Sequence, residues 1–469
     1  MRRGVFASFC LMLCAVTVSL LSQGRQADPR MKNASRSPER NGWTLVHLEG
    51  TPAQIGYQHG SLLAAEILEM KGVAELELKH DSKKDWAFFR SAARDMMWPR
   101  MEQEYRDELQ GIADGVNARG VKLDVWDIVA LNGLLEWPYY TTVYDKQHKT
   151  TAQSSLVPGD HCSAFVATGS YTKDGKVVIA HNNWTSYIEG VRWTIVFDIV
   201  PAKGHRILMD GLPGFIHSAD DFGVNSAGII ITETTITGFK GYDPKGIPEF
   251  VRARKAMQYS ASIDDFARIM KEGNNGGYAN DWLIADRKTN EVASLELGLK
   301  NVTLERTRDG YFVGANFPIS PKLAAEESTF DTKDMSLSPN ARRVRWQQLM
   351  AENKGTIDVA SAERFMADHY DTYLKKIEPS ERTLCGHVDL SPRGMGDWQR
   401  PFGIAGTVQN KVADATMAER LSLAVSAGHS CGIGFKAADH LKAHPEFSWQ
   451  KPYLKDMPSG PWTVFEATR

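Results

Sequence analysis

The sequence predicts an α+β fold in which sheets are layered against helices, and three observations predict it. Helical periodicity dominates residues 45–136, short alternating or apolar runs typical of strands replace it after residue 161, and a pair of capped helices interrupts those runs once before they resume. The composition fits an ordinary globular chain: 469 residues, 42% hydrophobic and 24% charged, long enough for one large domain or two smaller ones.

The elements follow in chain order. Arg2 and Arg3 precede an apolar run over 5–21, and Ser22-Gln23-Gly24 offers small residues where a signal peptidase cuts, so residues 1–24 are expected to be a removed signal peptide and the chain to be exported. A run of about 17 residues containing Ser, Thr and Cys lies at the bottom of the spanning range, which disfavours an uncleaved anchor. Residues 25–44 form a polar leader. Thr51-Pro52 then opens a helical pattern through Ile55, Leu62, Leu63, Ile67 and Leu68, and a second runs from Trp86 to about Asn117. Residues 144–161 are polar and carry Pro158-Gly159, the profile of a linker that ends a mainly helical segment over 45–161.

From residue 162 to 469 the pattern changes to short strands. Strands are expected at 163–168 and 177–180 around an Asp174-Gly175 turn, then at 193–200, 206–209 and 229–234. Pro248 opens one helix, and Ser262 with Asp265 caps another that ends near Gly273; strands return at 282–285, 292–297 and 311–315.

A net charge of -2 and a pI near 6.7 provide no field for nucleic acid or an anionic bilayer, and no basic run is interleaved with aromatics. Small, weakly charged or apolar ligands are expected instead. Loss of the signal peptide removes Cys10 and Cys14 and leaves Cys162, Cys385 and Cys431. In an oxidising compartment that odd number suggests a Cys385–Cys431 disulfide and one free thiol, Cys162. Cys385-x-His387 and His429-x-Cys431 also offer four zinc ligands, but one intervening residue is tighter than structural zinc usually takes, so no metal is expected.

If the chain reverses at Asp174-Gly175, position 162 faces the low-to-mid 180s, the run His181-Asn182-Asn183-Trp184. Strand alternation puts His181 and Asn183 on one face and Asn182 with Trp184 on the other. A thiol beside an imidazole is an activatable nucleophile, although a buried cysteine near a strand-end histidine is also an ordinary core arrangement.

The runs GDHCSAFV (159–166) and IAHNNWTSY (179–187) together resemble the phospholipase B-like family, whose members carry HCS and AH-x-x-W-x-x-Y at similar spacing. Glu233-Thr234-Thr235, the run GYANDW (277–282), Leu295-Glu296 and Gly310-Tyr311-Phe312 with Asn316 continue the likeness in order. Residues 108–115 (ELQGIADG) are similar to a helix signature of the related penicillin-precursor (isopenicillin N) acyltransferases. The resemblance implies an N-terminal-nucleophile hydrolase fold, a four-layer αββα sandwich. It also implies cleavage between His161 and Cys162, after which the α-amine of Cys162, with a reference pKa of about 7.7–8.0, serves its own thiol as base.

On this reading Cys162 is the nucleophile, His181 orients or polarises it, Asn182 or Asn183 with Asn280 stabilises the oxyanion, and Trp184, Thr234 and Thr235 line the substrate pocket. The implied activity is a cysteine hydrolase acting on acyl esters or amides of a lipid or other acyl-bearing small molecule, with no cofactor, and with its two fragments remaining associated. Trp184, Tyr187, Trp193 and Trp282 are candidates to cover an alkyl chain or, equally, core residues. An arginine-asparagine-x-aspartate pattern of the acyltransferases is replaced here by His181-Asn182-Asn183-Trp184, which favours the phospholipase B-like branch. The alternatives are an acyltransferase or amidase, and a non-catalytic binding protein that keeps the fold.

Overall fold

The computed structural model describes residues 28–149, 162–219, 222–396 and 399–468. The expected signal peptide, most of the 144–161 linker and His161 lie outside the described residues.

Among the described residues six α-helices precede the strand-rich part: α1 (Pro52–Leu62), α2 (Ala64–Ser82), α3 (Trp86–Ala92), α4 (Gln103–Ala118), α5 (Val125–Asn132) and α6 (Trp137–His148). A capping box between Thr51 and Gln54 starts α1, the signal the sequence offers there. The first helical pattern is two helices, because Leu63 leaves helical geometry with φ -125°. The second is also divided: a π turn over Ala93–Met97 and a 3-10 turn at Trp98-Pro99-Arg100 separate α3 from α4, where the proline ring denies the backbone a donor. Helices α1 and α4 approach closely through glycines. A Cβ on Gly56, Gly60, Gly111 or Gly115 would fall 1.9–2.5 Å from a backbone oxygen of the other helix, which gives the glycines of the 108–115 signature a packing role.

The larger sheet has nine strands in the order β1 (Ser35–Arg36), β2 (Thr44–Gly50), β5 (Ile195–Pro201), β6 (Ile207–Gly211), β7 (Gly223–Asn225), β8 (Ile229–Thr235), β9 (Asn280–Asp286), β10 (Glu291–Leu297) and β11 (Val302–Thr307). The smaller has six: β12 (Gly310–Gly314), β3 (Ser163–Thr168), β4 (Val178–Ser186), β15 (Ala405–Asp414), β16 (Ser422–Ala427) and β17 (Thr463–Glu466). A two-residue pair, β13 (Tyr370–Asp371) and β14 (Lys376–Ile377), stands apart. Residues 44–50, placed by sequence at the junction of leader and helical segment, form a strand paired in parallel with β5, Val46 opposite Phe197.

Alternation along the strands sorts the core. Ile195, Phe197, Ile229, Ile231, Trp282, Ile284 and Leu295 face the N-terminal helices together with α8 (Glu249–Tyr259) and α9 (Ile263–Lys271), which come between the short helices α7 (Tyr187–Gly190) and α10 (Pro321–Glu327) in the chain. Val196, Leu208, Ile230, Leu283 and Val292 face the smaller sheet. On the far side of that sheet Phe165 packs on Trp346 of α11 (Ser338–Glu352) and Phe365 of α12 (Val359–Met366) at ring separations of 5.2 and 6.0 Å. The mixed α+β architecture therefore has two sheets, with the N-terminal helices on the larger and α11 and α12 on the smaller. Among the described residues no helix is long and apolar enough to cross a membrane.

Candidate functional site

Cys162 precedes β3, and the β3–β4 hairpin sets what it meets. Ser163 lies opposite Asn182 and Ala164 opposite His181, so the next position outward brings Cys162 to Asn183. The thiol donates weakly to Asn183 Oδ1 at 3.8 Å. Its sulfur, a ring nitrogen of His181 and a carboxylate oxygen of Glu233 all lie within 4.8 Å of one another, buried, where β4 and β8 meet between the sheets. Cys162 has φ +96°, a conformation that costs a side-chain-bearing residue about 1–3 kcal/mol.

His181 is held neutral. Burial and then the nearby Lys411 ammonium push its pKa well below that of a free histidine, opposed only in smaller part by the Glu233 backbone. Lys411, opposite His181 on β15, is fully buried with Asp210 at 3.3 Å. Asp210 also accepts from Ser218 Oγ at 2.8 Å and Gln409 Nε2 at 2.6 Å, so the pair is well bonded despite the cost of burying it. Tyr278 donates its hydroxyl to Glu233 Oε1 at 2.7 Å.

Three buried amide atoms have no hydrogen-bond partner among the described residues: Nδ2 of Asn183, whose Oδ1 meets the thiol, and both Oδ1 and Nδ2 of Asn280, on the neighbouring strand β9. Each such atom costs about 1–3 kcal/mol in a folded chain unless water or a ligand meets it. Asn280 lies opposite Thr235 at the ends of β9 and β8, and Thr235 Oγ1 is likewise unpartnered. Thr234 sits one residue earlier and packs where a Cβ on Gly314 would come within 2.4 Å of its Oγ1.

Two sequence candidates are not brought to the thiol. Asn182 points to the opposite face and donates from Nδ2 to the carbonyls of Met366 and Leu384 at 3.0 and 2.7 Å. Trp184 is on that face too, fully buried among Val388, Met395 and Ala405 with the Arg342 guanidinium 4.4 Å from its ring centroid. It lines no pocket mouth, and Tyr187, Trp193 and Trp282 are core residues as well. Cys385 and Cys431 are neighbouring free thiols, not the expected disulfide.

Two residues of the site carry no motif that sequence reasoning singled out as functional. Glu233 appeared only as a landmark. Arg342, fully buried on α11, donates to the Cys162 carbonyl at 2.5 Å, Ser163 Oγ at 3.0 Å, Asn316 Oδ1 at 2.9 Å and Ser338 Oγ at 2.9 Å. Asn316 in turn donates to the Thr235 carbonyl at 3.0 Å, tying the nucleophile's backbone to the end of β8. The one available signal was an arginine on a helix position that packs inward. Beyond Ser338 opens a groove of about 640 Å³, walled by Thr237, Phe330, Leu337, Tyr373, Arg393 and Met395.

A nucleophilic sulfur, a neutral imidazole, a carboxylate and unsatisfied amide donors are the parts of a site that attacks a carbonyl and stabilises the resulting oxyanion. The sequence profile described as Phospholipase B matches residues 80–460. Human phospholipase B-like 1 is 25% identical over 326 residues, covering 62% of this chain and 54% of that protein; human putative phospholipase B-like 2 is 31% identical over 336 residues, covering 60% and 54%. An uncharacterised protein of Archaeoglobus fulgidus is 28% identical over 267 residues, 54% of this chain and 42% of its own. The chain spans about half the length of the curated relatives it matches. Among solved structures, a mutant of the conjugated bile acid hydrolase from Clostridium perfringens aligns with TM-score 0.34 and 12% identity, covering 56% of this chain and 88% of that one.

Proposed function

The chain belongs to the phospholipase B family, and from that premise we propose that it is an exported N-terminal-nucleophile hydrolase of αββα type, activated by cutting itself before Cys162. The observation that carries the proposal is the buried cluster of Cys162, His181 and Glu233 with Asn183 against the thiol and its Nδ2 unpartnered. The thiol attacks the carbonyl carbon of residue 161. The C–N bond breaks as the C–S bond forms, the thiol proton passes to the departing amine, and water then splits the thioester to leave a carboxylate at His161.

The freed amine supplies what the precursor lacks. An imidazole held well below its usual pKa is a poor base, whereas an α-amine of reference pKa about 7.7–8.0 takes the thiol proton near neutral pH. In turnover Sγ attacks the substrate acyl carbon, Nδ2 of Asn183 and of Asn280 donate to the oxyanion, the alcohol or amine leaves with a proton, and water releases the acid from the thioester. The unfavourable φ of Cys162 supports the reading, since cleavage frees that residue from its upstream constraint.

Substrates are acyl-bearing lipids or small molecules, and the groove beyond Ser338, with Phe330, Leu337 and Met395 among its walls, has the volume for an acyl chain. Intact mass spectrometry tests the class: wild type gives two associated fragments with a break before Cys162, and Cys162→Ala gives one chain. A Cys162→Ala protein that is still cut at this bond refutes the mechanism. Matched esters and amides of increasing chain length then separate phospholipase-like from amidase-like action, and rates independent of chain length refute the lipid assignment.

A further inference from the structure

We propose that His369, Cys385, His387 and Cys431 form a structural zinc site on the outer side of the smaller sheet. Their ligand atoms lie within 4.8 Å of one another, and they are drawn from three segments: the turn after α12, the loop leading to β15, and the loop after β16. His387 Nε2 stands 3.6 Å from Cys385 Sγ and 3.5 Å from Cys431 Sγ. Around a tetrahedral ion with Zn–N about 2.0–2.1 Å and Zn–S about 2.3 Å, nitrogen and sulfur ligands stand about 3.5–3.6 Å apart. These two distances are those of a ligand shell, the other four pairs lying within 4.8 Å, and two sulfurs with two imidazoles select zinc over a hard cation.

The surroundings fit the same reading. His369 Nε2 is buried with no hydrogen-bond partner among the described residues. The backbone N–H of Ile433 donates to Cys431 Sγ at 3.5 Å, as it would to a thiolate, and the Asp389 carboxylate lies 3.8 Å from His387 Nδ1, an ion-pair separation beyond hydrogen-bond reach. His369 and Cys431 are only partly buried, which leaves an entry path, whereas Cys385 and His387 are fully enclosed. His429, the fourth ligand that spacing alone suggested, is committed elsewhere: Nδ1 bonds the Ile433 carbonyl at 2.8 Å and Nε2 lies 3.0 Å from the Tyr187 hydroxyl.

Binding one Zn²⁺ displaces two thiol protons and gives a neutral Cys2His2 centre. With all four positions filled by protein the site is closed, so its role is to fasten the 368–404 loop to the end of β16. That loop lies against β4, since Asn182 bonds the Leu384 carbonyl, one residue before Cys385.

The test uses the tag-free full-length protein. Elemental analysis after gel filtration should find about one zinc per chain, or the chelated protein should take up one Co²⁺ with thiolate charge-transfer and tetrahedral d–d bands. His369→Ala should lose stoichiometric metal and His429→Gln should keep it, both judged on protein whose near-UV dichroism is native. A metal-free protein that binds neither Zn²⁺ nor Co²⁺, a Cys385–Cys431 disulfide in the purified protein, or loss of metal in His429→Gln with retention in His369→Ala overturns the assignment.

Discussion

Replacing Arg342 by Met tests whether the backbone of the nucleophile is held from α11. The guanidinium makes four hydrogen bonds, to Cys162 O, Ser163 Oγ, Asn316 Oδ1 and Ser338 Oγ, and it is fully buried. A bond from a charged donor contributes about 1.5–3 kcal/mol, so four sum to roughly 6–12 kcal/mol before correction. Removing the charge also relieves several kcal/mol of desolvation, which leaves a net loss of about 3–5 kcal/mol. The functional cost is separate: a nucleophile displaced by an ångström loses on the order of 100-fold in rate, and both self-cleavage and turnover should fall by that factor. Urea unfolding followed by tryptophan emission measures the first quantity, and a mass-spectrometric time course of processing the second. Arg342→Lys keeps the charge but not the planar fork, and should fall between Met and wild type in both. If Arg342→Met unfolds within about 0.5 kcal/mol of wild type and processes at the same rate, the Cys162 carbonyl is positioned by other means and the network is incidental.

Asn280→Leu should leave stability unchanged or raise it by about 1–2 kcal/mol, because both amide atoms are buried without partners, while turnover drops about 100- to 1,000-fold; a large loss of stability with full activity contradicts the oxyanion role. Gly60→Ala should cost about 1–3 kcal/mol in urea unfolding, since the added Cβ lies 2.1 Å from the Ile112 carbonyl oxygen and the helices must separate, and a neutral result shows that α1 and α4 yield freely. His59 is buried neutral, its pKa pushed down from 6.5 to about 3, with Nε2 accepting from the Gly214 N–H at 2.9 Å. Because the unfolded chain then binds the extra proton, stability is lost as pH falls from 6.5 towards 3, by up to about 1.4 kcal/mol per pH unit, and His59→Gln should show a shallower fall between pH 6.5 and 4.5; equal slopes refute the assignment.

What the sequence revealed and what it concealed follow from the range of the interactions. The hairpin was legible because Asp174-Gly175 fixes the pairing locally, and the faces of 181–184 then follow from alternation. Strand β2 was not: its neighbour β5 is parallel and about 150 residues away, and Thr51-Pro52 announces a helix immediately afterwards. Strand β15 reads as polar, AGTVQNKVAD, because Gln409 and Lys411 are buried against Asp210 and not against an apolar core. Arg342 and Glu233 reach the nucleophile only through the folded sheets. Cys385, His387 and Cys431 were visible as a spacing, but that spacing argued against a metal, and the residue that completes the cluster is His369, which no local pattern connects to them.

The run His181-Asn182-Asn183-Trp184-Thr185-Ser186-Tyr187 therefore carries two tasks on two faces. His181 and Asn183 turn towards Glu233 and the thiol. Asn182 and Trp184 turn the other way, one bonding the carbonyls of Met366 and Leu384 and the other packed so tightly that a Cβ on Gly386 would fall 2.2 Å from its ring. Tyr187, at the end of the strand, donates to Asp389 Oδ1 at 2.7 Å and lies beside His429, so it supports the loops that bring His387 and Cys431 together. Fastening those loops from one face of β4 fixes the strand whose other face meets the nucleophile. Loss of the Cys2His2 cluster should accordingly slow processing without touching any reacting group, whereas loss of Asn183 should slow it with the metal still bound.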